Sequence, residues 1–130
     1  MRKWIFLAFM AATPAWADWS FIAKTDAFKL YGEFNTKQRN GNLVRMWSMA
    51  DYQATQSIRL PPPLLWTNYQ SMRELKEFDC ATRQHRSLKT TLFAVRLAKG
   101  EPVYSFESAG VFAPVAAVAL DEAQFQFACK

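Results

Sequence analysis

Apolar and polar residues fall into three regimes along this chain. The first is an unbroken apolar run over residues 4–12, set behind Arg2 and Lys3. The second is a series of segments rich in aromatic and β-branched residues, at 19–23, 28–34, 43–52 and 87–97, which read as strands. The third is the alanine-rich end, 115–130. There Val118, Glu122, Phe125 and Cys129 recur at helical spacing, and Phe125 and Cys129, four apart, share a face. Asp121 and Glu122 stand early and Lys130 last, as the helix dipole favours.

Turn chemistry joins these segments. Asn40-Gly41 ahead of an apolar run is a short hairpin signal, because both central residues of such a turn take φ > 0. Its other arm is 36–39, extended back toward Phe34. Lys99-Gly100 predicts a second turn, with 103–106 as the hairpin partner of 87–97. Pro102 then sits at the first position of a strand, where its missing N–H is tolerated. Residues 71–79 have mixed polarity and fit a strand or a helix by periodicity alone. Leu60-Pro61-Pro62-Pro63-Leu64 favours an extended polyproline form. It reads as a loop inside one domain, since each flank is too short to fold alone. The expected fold class is therefore α+β, an antiparallel sheet of about six strands with one C-terminal helix.

The first regime is not expected to join that fold. A positive start, a short apolar run, Pro14 and the small-x-small site Ala15-Trp16-Ala17 form a signal peptide ending near Ala17. The run is too short for a membrane span, which takes about 20 residues. A buried N-terminal strand or helix is the competing reading. Residues 18–130 then make one domain, near the common domain size. Charge changes the picture little. The 16 basic and 11 acidic residues give a formal net charge of +5, of which Arg2 and Lys3 supply two units. The remainder is too weak to imply nucleic acid, and export argues further against it.

Cysteine count changes it more. Cys80 and Cys129 are the only two, and an even count in an exported chain reads as a disulfide. The bridge would tether the C-terminal helix to the strand end carrying Cys80. A metal pair or a reactive thiol is the rival reading, but a metal site wants more ligands than two distant cysteines and one histidine. No cofactor and no metal are expected. No serine-nucleophile elbow, phosphate loop or zinc-helix motif occurs, so the chain reads as non-enzymatic. His85, the single histidine, reads as a strand residue facing water. Glu77 and Asp79 share a strand face beside Cys80, where Asp79 is placed to hydrogen-bond backbone.

The main charge feature is the stretch 83–99, which holds Arg83, Arg86, Lys89, Arg96 and Lys99 and no acid. Strict strand alternation puts Arg83, His85 and Lys89 on one face and Arg86 and Arg96 on the other. The stretch reads either as a solvated, edge-protecting face or as a site for an acidic partner, with Arg83, Arg86 and Lys89 as candidate binding residues. Trp47 reads as core. Trp66, beside the prolines, is the candidate for an exposed contact, although it would equally serve to cover the core.

Several of these residues fall in a familiar order. Val44-Arg45-Met46-Trp47-Ser48-Met49-Ala50-Asp51-Tyr52 resembles the V-x-x-W-x-x-x-D-Y strand of the bacterial surface-adhesin protein E family. Glu77-Phe78-Asp79-Cys80 with Arg83, Arg86 and Leu88 resembles that family's E-F-D-C-x-x-R-x-x-R-x-L block. Phe112-Ala113-Pro114-Val115 and Cys129 match its ending, with Phe112 where Trp is more usual. The resemblance implies about six antiparallel strands with a disulfide-tethered C-terminal helix. It also implies a protein partner, such as a host extracellular-matrix or plasma protein (vitronectin, laminin or plasminogen). No cysteine stands near residue 17 for lipid modification. The expected location is therefore periplasm, cell surface or medium without a lipid anchor, and an accessory role in the cell envelope is the alternative function.

Overall fold

Two long strands with alternating side chains organise the chain. β4 (Leu43–Arg59) and β5 (Trp66–Asp79) pair antiparallel from Leu43 opposite Asp79 to Arg59 opposite Trp66, with an irregularity between Asp51 and Gln56. In this computed structural model, which describes residues 18–108 and 110–130, the other strands are laid on either side of that pair. β1 (Trp19–Lys24) and β2 (Phe28–Glu33) extend the sheet beyond β4, with short β3 (Gln38–Asn40) on the same edge. β6 (Gln84–Phe93) and β7 (Pro102–Glu107) extend it beyond β5, with short β8 (Ala113–Pro114) beside β6. Every strand pair is antiparallel, in the order β1-β2-β4-β5-β6-β7. One helix, α1 (Ala119–Cys129), closes the chain.

The α+β expectation holds, and several local readings shift. Residues 71–79 are strand, because pairing on both sides decides what periodicity left open. β4 continues well past Tyr52. β6 stops at Phe93, and residues 96–98 form a 3₁₀ turn in which Leu97 takes φ 63°. The helix starts at Ala119, four residues later than its alanine content suggests. The two-residue turn before β4 is Gly41-Asn42, between paired Asn40 and Leu43, and Gly41 adopts φ +63°. The bond between Pro62 and Pro63 is cis, so the proline run is not a continuous polyproline helix. The signal peptide expected over 1–17 lies outside the described residues.

Alternation divides β4 and β5 between two faces. Val44, Met46 and Ser48 point toward α1, while Arg45, Trp47 and Met49 point away. Met46, Phe78, Phe125 and Ala128 form the buried cluster under the helix, flanked by Ile22, Val115, Phe127 and Cys129. Phe125 meets Phe78 edge-on at 6.4 Å. Close seating of the helix needs Gly32, since a Cβ there would lie 2.6 Å from Phe127 Cε1. Cys80 and Cys129 are bonded, with Cα atoms 5.7 Å apart, and so lock the last helical turn to the end of β5. The unpaired carbonyls at that helix end are met from the sheet edge. Lys37 Nζ donates to the Phe127 oxygen at 3.1 Å and Arg39 Nη2 to the Cys129 oxygen at 3.2 Å.

The bridge closes a separation of 49 residues, for which chain entropy in the unfolded state predicts a stabilisation of roughly 4 kcal/mol. Cys129→Ser should lower the free energy of unfolding in urea by about 2–4 kcal/mol and speed amide exchange in α1. An unchanged unfolding midpoint would show that Phe125 and the Lys37 and Arg39 contacts hold the helix without the bridge.

Candidate functional site

The face of the sheet turned away from α1 carries the polar chemistry. Arg45, Glu77 and Arg86 stand opposite one another on β4, β5 and β6. Glu77 is 3% exposed. One of its oxygens accepts from Arg45 Nε at 2.9 Å, and the other from Arg86 Nε at 2.9 Å and Nη2 at 2.6 Å. Burial pushes the Glu77 carboxyl up. The hydrogen bonds and charges of the two guanidiniums outweigh that and hold it below the usual carboxylate range. Arg86 also lies 4.4 Å over the Phe112 ring and donates to the Gly110 carbonyl. Arg45 borders two shallow grooves. One, of about 480 Å³, is lined by Gln38, Arg39, Asn40, Leu43, Glu77 and Arg86. The other, of about 400 Å³, is lined by Leu75, Leu88, Lys89, Glu107 and Ser108.

Toward the opposite end, the same face is braced by stacking and by a returning loop. Arg73 lies 4.2 Å from the Trp47 ring and 5.9 Å from that of Trp19, so Trp47 is a half-buried stacking partner of this face and not part of the helix-covered core. Buried Asp51 takes Arg96 Nη2 at 2.7 Å and the Leu97 N–H at 2.9 Å. Ser71 donates to the Val95 carbonyl and accepts from the Ala98 N–H. The loop after β6 is thereby bonded down over Asp51 and Ser71. The end of the segment read from sequence as strand 87–97 thus leaves the sheet after Phe93 and forms a polar clasp.

The predicted basic residues are redistributed by one irregularity. Lys89 pairs with Leu75 and Ser87 with Lys76, so Leu88 is left without a register partner. That extra residue resets the alternation and brings Lys89 onto the face of Arg86, correcting the strict-parity expectation. Arg83 joins neither. It sits in the turn before β6 with φ 56°, pairs with Glu122 of α1 and lies 4.6 Å over the Phe125 ring. Arg96 belongs to the clasp. Trp66 is far along β4–β5, 65% exposed, with Arg59 5.8 Å from its ring. The acid-free stretch therefore does not form one patch. The strip that forms instead is Arg45, Arg86 and Lys89. Arg45 is the residue missed from sequence; its position two before Trp47, on the same strand face, was the available signal.

His85 faces α1's side and not open water. It stacks 6.0 Å from Phe78, and Lys76 Nζ lies 2.8 Å from its Nδ1, as the neutral ring accepts from the ammonium. Burial, then the charge of Lys76, lower its pKa, against weaker opposite pulls from Asp121 and Glu74. Asp79 accepts from the Ala81 and Thr82 N–H groups, which orders the turn after Cys80 as anticipated. Among the described residues, no group of three or more His, Cys, Asp or Glu is placed to hold a metal ion. No helix among them is long and apolar enough to cross a membrane.

Comparison with protein families matches residues 19–130 to Surface-adhesin protein E. Comparison with curated proteins and with solved structures gives no match.

Removing Arg86 leaves buried Glu77 with only the half-exposed Arg45. Arg86→Ala should therefore destabilise the domain by roughly 2–4 kcal/mol, whereas Lys89→Ser should stay within about 0.5 kcal/mol. Urea unfolding of the two variants checks this, and equal losses would contradict the assignment of Arg86 to a structural cluster. The depressed pKa of His85 has its own signature. The unfolded state takes up the proton first, so stability is complete above about pH 6.5 and declines as pH falls below it, before ordinary carboxylates titrate. Thermal midpoints measured from pH 7.5 to 5 should fall for the wild type and fall less for His85→Gln.

Proposed function

The chain belongs to the surface-adhesin protein E family, and on that premise we propose that it is an exported, non-catalytic binding module that engages an acidic segment of a protein partner through its open sheet face. The observation that carries this reading is the pairing of one buried carboxylate with two guanidiniums. Glu77 is enclosed while the Arg45 side chain remains 51% exposed, so positive charge is held in place at the surface. Arg45 is fixed by its bond to Glu77, so less side-chain freedom is lost on binding. Lys89 adds a third cation along the groove that Arg45 borders. Open grooves lined by both charged and aliphatic side chains suit an extended peptide better than a small apolar ligand, which is usually enclosed.

The family supports an exported or surface location, and the partner class we assign is a matrix or plasma protein bearing an acidic stretch. Arg83 and Arg86, both expected from sequence to touch a partner, act in this reading mainly by holding α1 and Glu77. The contact itself falls to Arg45 and Lys89, with the outer edge of Arg86. The signal peptide over 1–17 belongs to the same proposal, since a surface role requires export.

Association with an immobilised matrix protein should weaken as salt rises, because exposed charges are screened beyond about 8–10 Å at physiological ionic strength. Arg45→Gln with Lys89→Ser should slow association by roughly three- to tenfold and leave dissociation nearly unchanged, since such charges steer encounter. The thermal midpoint of this variant reports whether Arg86 alone still satisfies Glu77. Binding indifferent to both salt and the double replacement would overturn the open-face reading. A protein resistant to protease on intact cells, yet digested once the outer membrane is opened, would favour the periplasmic alternative.

A further inference from the structure

The β4–β5 hairpin outruns the rest of the sheet. Pairing with β2 ends at Phe28 opposite Tyr52, and pairing with β6 ends at Ser71 opposite Phe93. Beyond those points β4 and β5 pair only with each other, from Gln56 opposite Tyr69 to Arg59 opposite Trp66. The five residues from Trp66 to Gln70 make an extension of about 16 Å at the usual strand rise. It is braced at its root. Tyr69 meets Tyr52 edge-on at 5.8 Å, Tyr52 packs on Phe28 at 5.1 Å, and Gln70 Nε2 donates to the Tyr52 and Gln53 carbonyls.

Chemistry along this finger is layered. The tip, Pro61-Pro62-Pro63-Leu64-Leu65-Trp66, is exposed throughout, with Leu64 and Leu65 at 42% and 44%. Arg59 sits beside Trp66 at the next level. A polar belt follows, with Thr55, Gln56, Thr67 and a Ser57–Asn68 hydrogen bond of 2.6 Å. No acidic residue occurs between Asp51 and Glu74. The tip also hides its own backbone donors. Three of its residues are prolines without an N–H, Leu60 N donates to the Leu65 carbonyl, and Leu64 N donates to the Pro61 carbonyl.

We propose that this hairpin tip inserts into the surface of a phospholipid bilayer, with Leu64 and Leu65 among the acyl chains, Trp66 at the interface and Arg59 on a headgroup phosphate. The three prolines and the bonded Leu60 and Leu64 amides reduce the number of free N–H groups that this end would carry into an apolar layer, where each unsatisfied backbone group is costly. The order of aliphatic residues, then tryptophan with arginine, then amides and hydroxyls follows the polarity gradient of a bilayer interface. A cleft in a protein partner asks for no such axial order. The site is separate from Arg45 and Lys89, so the protein would hold a membrane and a partner at different places.

Flotation of the exported protein with vesicles of phosphatidylethanolamine and phosphatidylglycerol tests this. The wild type should float, and Leu64→Asn, Leu65→Asn and Trp66→Ser combined should reduce partitioning by about tenfold or more. Arg59→Ser should lower the preference for phosphatidylglycerol over phosphatidylcholine vesicles by roughly fivefold. Brominated acyl chains should quench wild-type tryptophan fluorescence but not that of Trp66→Phe, a comparison that stands even if the triple variant fails to fold. Equal flotation of wild type and a folded triple variant, or quenching that survives Trp66→Phe, overturns the proposal. So does loss of binding to a protein partner in the tip variant without any vesicle binding by the wild type.

Discussion

The contact on which the rest of the molecule depends is the seating of α1 on one face of the sheet. A single antiparallel sheet with one small helix has few ways to bury apolar surface, and here the helix supplies only Phe125 and Ala128 to the fully buried cluster. That modest contact is fixed from several sides. Gly32 lets the helix approach, the Cys80–Cys129 bond holds its last turn, and Lys37 and Arg39 satisfy its terminal carbonyls. Arg83 fastens the first turns through Glu122 and covers Phe125. Because these restraints come from β2, β3, β5 and the turn before β6, the helix ties strands that are otherwise joined only by their ladders.

Seating the helix on one face leaves the other to be stabilised by different means. Among the described residues no second α-helix covers it. Its enclosure comes from the clasp after β6 over Asp51 and Ser71, from arginine stacked on tryptophan, and from a carboxylate sealed beneath two guanidiniums. A polar solution of this kind costs desolvation, and it stands only when each buried group is paired. Glu77 and Asp51 meet that condition. The by-product is a surface whose charges are held in register by strand pairing, and this is the property a protein-binding face requires.

The two proposed contacts differ in physical character for reasons that lie in the topology. The open face can hold buried polar groups where neighbouring strands and the loop after β6 bring partners to them, as at Glu77, Asp51 and Ser71. From Gln56 and Tyr69 outward the β4–β5 ribbon has no strand neighbour among the described residues, and its tip keeps apolar side chains in solvent. Exposed leucine and tryptophan at the end of a braced extension contribute nothing to the core under α1. Their presence there calls for a ligand in a way that the half-buried Trp47 does not.

Much of the architecture was legible in the order of the residues. Strand content, the C-terminal helix, the two hairpins and the pairing of the only two cysteines follow from local signals that tertiary contacts merely confirm. Segments 19–23, 28–34 and 103–106 emerged nearly as read, because period-two patterning and turn residues act over a few positions. The site was not legible in the same way. One unpaired residue, Leu88, moves Lys89 onto the face of Arg86, and a bulge is a property of the pairing, not of the strand. Glu77 could be placed on a strand face beside Cys80, but not given its partners until β4 and β6 brought arginines to it from positions 45 and 86. His85 looked solvent-facing until Lys76 closed over it. Local order along the chain determined which elements form, since propensity and turn chemistry are short-range. Which charges meet was decided only when strands far apart in sequence were set side by side, because Coulomb and hydrogen-bond partners are chosen by distance in space.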